Sequence, residues 1–172
     1  MITSAQISTQ PESGKYAEQI YEAPLSTLNW TWVKFEDEHY NEFYGQFHGS
    51  PKSIALSEKN PLCYVLTNEF LYEIDRHNPS NYVVRDFWDC GCTLTNVTFM
   101  PNGIPLFSND YVLFTINNSF EEHVEIENPI QVDLIAFDAW EDHLLHINAE
   151  TFFSPEPVKL VLDANTMVLS KA

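Results

Sequence analysis

Positive charge is scarce in this chain. Its 172 residues hold 8 Lys and Arg against 25 Asp and Glu, a formal net charge of −17. That balance excludes a partner gripped by its phosphates, because few cations are present to replace counterions. An anionic membrane surface is excluded on the same ground. Arg76 and Arg85 are the only arginines, so an anion-clamping active site is not expected. Glycine is also sparse. The five are Gly14, Gly45, Gly49, Gly91 and Gly103, and none belongs to a phosphate-cradling loop. No run reaches the roughly 18 apolar residues that span a bilayer. The first ten residues lack a basic segment leading into an apolar one, so no secretory signal is read there. A cytoplasmic location is expected, or a periplasmic one if a leader has been removed. Cysteine is limited to Cys63, Cys90 and Cys92. That odd number, with one glycine between the last two, argues against a disulfide framework and for buried thiols in a reducing compartment.

What is present is apolar and aromatic. Hydrophobic residues make up 44% and aromatics 14%, which is enough to offset the entropy of ordering a core. Residues 1–27 are read as a flexible arm, with a short helix over 14–23 because Tyr16 and Ile20 stand four apart. Residues 28–172 are read as a single all-β domain. Trp30–Phe35 alternates, and short β-forming runs follow, among them 42–48, 62–67, 70–74, 82–88 and 94–100. Turn signals such as Pro101-Asn102-Gly103, Ser108-Asn109-Asp110, Asn117-Asn118-Ser119 and Asp163-Ala164-Asn165 recur every 8 to 12 residues. One segment admits two readings. Asp138 and Glu141 have capping-box spacing, and Trp140, Leu144 and Ile147 would share a helical face. A hairpin is preferred there, because of an internal repeat.

The repeat has an offset of 41 to 43 residues. Ser53–Leu56 followed by Val65–Ile74 reads like Asn96–Phe99 followed by Leu106–Ile116. Each has a strand, a polar turn, a strand, a Thr/Ser-Asn-acid turn and a strand. A weaker third copy spans Asp133–Phe137 and His143–Ile147. This period resembles the general blade pattern of propellers of the WD-repeat and NHL kind, without their Gly-His or Trp-Asp signatures. The fold expected is an antiparallel all-β meander. It is either a partial propeller or two packed twisted sheets.

Chemical motifs are few. There is no His-Glu-x-x-His and no Gly-x-Ser-x-Gly. Cys90-x-Cys92 with His143-x-x-His146 lacks the usual zinc spacing. Asp86 and Asp89 next to Cys90 oppose a reactive thiolate. Carboxylate pairs are too numerous to single out a glycosidase. No enzyme activity, cofactor or metal is expected.

The distribution of charge is more informative. Residues 86–158 contain no Lys or Arg and hold 13 acids. Such a surface suits a basic protein, whose approach it would steer. Small acidic β-domains without catalytic motifs resemble immunity proteins, which neutralise basic toxins by occlusion. That resemblance implies a turn that enters the toxin's cleft while acids ring its basic rim. The candidate contacts are Glu36, Asp37 and Glu38; Ser108, Asn109 and Asp110; Glu121 and Glu122; and Asp138, Glu141 and Asp142. The alternatives are a ligand-carrying β-barrel and a DNA mimic that inhibits a nucleic-acid-binding protein.

Overall fold

This computed structural model describes residues 1–25, 28–116, 119–152 and 154–172, the side chains of Ser154 and Pro155 excepted. The expected turn at Asn117–Ser119 therefore lies mostly outside the described residues. Among the described residues the chain is all-β and forms four four-stranded sheets. It divides into two compact units, Met1–Asp89 and Cys90–Ala172.

The first unit has eight strands: β1 (Ile2–Ser8), β2 (Ala17–Tyr21), β3 (Trp30–Asp37), β4 (Glu42–His48), β5 (Pro51–Leu56), β6 (Leu62–Thr67), β7 (Phe70–Asp75) and β8 (Tyr82–Asp86). The sheet β5-β6-β7-β8 is a plain antiparallel meander, the form of a propeller blade. The other sheet has the order β1-β3-β4-β2, and β2 runs parallel to β4.

The N-terminal reading needs correction here. Residues 2–8 and 17–21 are sheet strands, where an arm and a short helix were expected. The helical spacing put Tyr16 and Ile20 on one face. The strand instead turns Tyr21 fully inward and leaves Ile20 exposed.

One core joins the two sheets of this unit. It contains Ile2, Tyr21, Val33, Phe35 and Phe47 from one sheet, and Cys63, Val65, Phe70, Tyr72 and Ile74 from the other. Tyr21 stacks on Phe47 at 4.3 Å between ring centroids. Gly45 on β4 makes room for these rings. A Cβ there would sit 2.6 Å from Phe47 and 2.8 Å from both Phe35 and Tyr21. Each fully buried aromatic contributes about 1.5–3 kcal/mol of transfer free energy. The buried Arg76 fastens the unit through backbone carbonyls: its Nε donates to Ile2 O at 2.8 Å and its Nη1 to Ser57 O.

The second unit has β9 (Asn96–Phe99), β10 (Pro105–Ser108), β11 (Leu113–Ile116), a turn of 3-10 helix (Phe120–Glu122), β12 (His123–Ile126), β13 (Leu134–Glu141), β14 (Leu144–Thr151), β15 (Ser154–Asp163) and β16 (Val168–Lys171). Its sheets, β9-β10-β11-β12 and β13-β14-β15-β16, are both antiparallel meanders. Their shared core includes Leu106, Leu113, Ile126, Ile135, Leu145, Ile147, Leu160 and Leu162.

The 138–149 segment is a hairpin. Phe137 faces Ile147 and Trp140 faces Leu145, with Asp142 in a left-handed turn at φ 54°. The sequence repeat is structural as well. Its first copy supplies β5, β6 and β7, and its second supplies β9, β10 and β11, which are the same three positions in their sheets.

Turn chemistry explains where many polar side chains go. Asp37 Oδ1 accepts from His39 N and Asn41 N, and Asp75 Oδ1 accepts from His77 N and Asn78 N. Ser57, Asn109 and Asp163 accept from turn N–H groups in the same manner. Each side chain satisfies backbone donors that the strand ladders leave over.

Candidate functional site: an acidic turn surface

In the second unit, β9 and β13 run side by side in the same direction. Asn96 Nδ2 donates to Ile135 O at 2.8 Å, and Trp140 Nε1 donates to Thr98 Oγ1 at 2.9 Å. The antiparallel order of both sheets then places the turns after β9, β11, β13 and β15 at one end. The turn after β10 lies at the other end, where Asn128 Nδ2 donates to Tyr111 O.

The expected contact residues are sorted by this arrangement. Glu121, Glu122, Glu141 and Asp142 share the first end, and all four are exposed. Asp163, the last residue of β15, also lies at this end. Ala164 N donates to His143 O at 2.9 Å, which ties the β15–β16 turn to the β13–β14 turn. Asp110 belongs to the opposite end. Asp138 is on β13, with a carboxylate oxygen 4.0 Å from Lys159 Nζ. Glu141 Oε2 lies 3.2 Å from His146 Nε2.

Several expected contacts do other work. Ser108 is fully buried, and its hydroxyl accepts from Asn96 Nδ2 at 2.8 Å. Asn109 closes its own turn by accepting from Tyr111 N and Val112 N, both at 2.8 Å. In the first unit, the Asp37 carboxyl is held down to about 2, chiefly by the Asn41 side chain and backbone, with His39 N–H adding to it. The Glu38 carboxyl is lowered by the chain's N-terminal ammonium, 2.9 Å away. Glu36 is half-buried on β3, opposite Glu42. The Glu36-Asp37-Glu38 run is thus a β3 end and turn cap, in a different unit from the acids at 121–142.

The charge is uneven between the units. Residues 90–172 hold twelve acids and two lysines, Lys159 and Lys171, while residues 1–89 hold thirteen acids and six Lys or Arg. Among the described residues, no group of three or more His, Cys, Asp or Glu side chains is placed to hold a metal ion. Cys63 is buried and its thiol is pushed up to about 12 by desolvation. Burial also raises the Cys92 thiol.

No family model matches the chain, and no curated protein matches it. Among solved structures it is similar to the Dos1 propeller, with a TM-score of 0.46 at 12% identity. The match covers 88% of this chain and 44% of that one, so this chain spans less than half the length of the propeller chain. Among the described residues, no helix is long and apolar enough to cross a membrane.

Sequence reasoning missed a second feature, in the first unit. His48 ends β4 and is 4% exposed. Trp30, at the start of β3, lies over it with ring centroids 4.0 Å apart. Glu22, just past β2, brings Oε2 to 3.8 Å from His48 Nε2. Among the described residues neither His48 ring nitrogen has a hydrogen-bond partner. The only sequence signal was pairing. Trp30 sits opposite His48 in the β3–β4 register, and Tyr21, next to Glu22, sits opposite Phe47. Trp30 follows from the β3–β4 hairpin, whereas Glu22 cannot be named without knowing the parallel strand.

Proposed function

We propose that this chain is a non-catalytic acidic binding protein that neutralises a basic protein by covering its active site. Among such proteins, an immunity protein against a bacterial toxin or effector fits best, acting in the cytoplasm. The observation that carries the reading is the end of the second unit where Glu121, Glu122, Glu141 and Asp142 are all exposed, at the two connections that follow β11 and β13. Its unit has only two lysines to oppose twelve acids. Carboxylates in such excess repel one another and destabilise the unit that bears them. A basic partner relieves that repulsion and is drawn in faster by it.

Occlusion needs a protruding, rigid element. The β13–β14 hairpin offers rigidity at its tip, where His143 O accepts from Ala164 N of the β15–β16 turn and Trp140, paired with Leu145, donates to Thr98 Oγ1. Binding kinetics of the captured partner provide the test. Neutralising the four carboxylates should lower the association rate by ten-fold or so, and raising the salt should flatten the difference. An association rate that ignores both changes would refute the proposal.

A further inference from the structure

A buried histidine with two unpartnered ring nitrogens is an anomaly, because buried polar groups are nearly always paired. One ring nitrogen of a neutral imidazole is an acceptor and the other a donor. His48 Nε2 faces Glu22 Oε2 at 3.8 Å, which is too long for a hydrogen bond between them. It is a suitable gap for donors held by both. Nε2 is itself closed off from solvent, and the side chain beside it is that of Glu22, which is 76% exposed and free to swing aside for an occupant. The indole of Trp30 covers the imidazole with one face, and the residue remains 39% exposed.

We propose that Glu22, Trp30 and His48 form a subsite for an arginine side chain of a basic protein partner. The guanidinium is planar, stacks on an indole, and carries parallel N–H groups that reach two acceptors at once. A lysine ammonium is a single point that would have to bend both bonds, so arginine is preferred over lysine. Same-end neighbours support a cationic occupant. The register places Glu69 and Asp86 at the end of the unit where Glu22 and His48 lie, since Phe70 faces Asp86 across β7 and β8. Trp88, two residues beyond Asp86, is 92% exposed and is held out by Asp86 Oδ1, which accepts from its backbone N at 2.9 Å. An exposed tryptophan beside acids is a typical anchor at protein interfaces. This inference rests on the basic-partner reading but assigns it to different residues in the other unit.

The test is an NMR titration of the full chain with a capped glycine–arginine–glycine peptide. Matching peptides carrying lysine or the neutral arginine analogue citrulline serve as controls. The proposal predicts saturable shifts of the His48 ring and the Trp30 indole with the arginine peptide. It predicts weaker binding of the lysine peptide and none of the citrulline peptide. Glu22→Gln and Trp30→Leu should each weaken binding about fivefold, the worth of one exposed charge or cation–π contact. Backbone amide spectra would confirm that both variants keep their fold. Neutralising Glu121, Glu122, Glu141 and Asp142 should leave these shifts in place. Equal response to citrulline, unsaturable shifts, or an unchanged affinity in Glu22→Gln would overturn the subsite. None of those results bears on the acidic turns of the second unit, so the two readings fail separately.

Discussion

Asn68 and Ser50 clasp each other. Asn68 N donates to Ser50 O at 2.8 Å, and Asn68 Oδ1 accepts from Ser50 N at 2.5 Å. This pair fixes the crossing from β4 to β5, which is the step from one sheet to the next. The repeat places Asn109 where Asn68 stands, and the Asn109 side chain opposes the effect of burial on the Cys92 thiol, just after Gly91. Gly49 and Gly91 both have positive φ, at 99° and 71°. Both crossings share the left-handed glycine, and at the first of them an asparagine from the following hairpin holds the residue after it. Asn68→Ala should therefore cost about 0.5–1.5 kcal/mol, measured by urea unfolding. Wild-type stability in that variant would show that the clasp contributes nothing.

Gly49 offers a sharper test of the same crossing. A Cβ there would lie 2.6 Å from Thr67 Oγ1 and 2.9 Å from Thr67 Cβ, in a backbone conformation that L-residues avoid. Gly49→Ala should cost about 2 kcal/mol or more, while Gly14→Ala, which meets nothing within 4 Å, should cost less. Equal unfolding midpoints for the two variants would contradict the packing described.

Acid should weaken the fold through its turn caps. Asp37, Asp75 and Asp163 are all lowered by hydrogen bonds to their carboxylates, Asp37 mainly from Asn41, Asp75 from His77 N–H and Asp163 from Asn165 N–H. A carboxyl lowered in the folded state binds its proton more readily when unfolded. Its contribution is full above the unfolded value near 3.9 and is lost as pH falls through the folded value. Thermal midpoints should fall between about pH 5 and about pH 2. Asp37→Asn keeps an acceptor oxygen without the charge, so its pH dependence should be shallower. An unchanged slope would remove Asp37 from the account.

Salt should act in the opposite direction. Twelve acids and two lysines in residues 90–172 imply self-repulsion that added salt screens. The thermal midpoint should rise as sodium chloride increases from about 0.01 M to about 0.3 M, where the Debye length shortens several-fold. A flat or falling midpoint would mean that the surface carries no net repulsive strain.

Much of the fold was legible, and the failures have physical causes. The strands from Trp30 onward announced themselves because one face of each packs into a core, as Val33 and Phe35 do. The repeat was visible because its turn residues carry out specific tasks: Thr67 Oγ1 accepts from Phe70 N, as Asn109 does from Val112 N. Strands β1 and β2 were misread because they are edge strands with one large buried residue each, Ile2 and Tyr21. Their partners are distant in sequence, and β2 pairs in parallel. The acids at 121–142 could be counted, but not sorted by end until the β9–β13 seam was known. Ser108 looked like a turn residue and proved to be buried. His48 and Glu22 meet only through that parallel pairing, which no local pattern encodes.

The central claim, that an acidic turn surface binds a basic protein, is tested most directly by paired capture. The wild-type chain and the Glu121→Gln/Glu122→Gln/Glu141→Gln/Asp142→Asn variant would be used side by side as bait, and bound proteins identified and quantified. The account predicts a basic protein that the wild type retains, that the variant loses, and that elutes as salt is raised. A partner of neutral or acidic charge, or one retained equally by both baits, would contradict it.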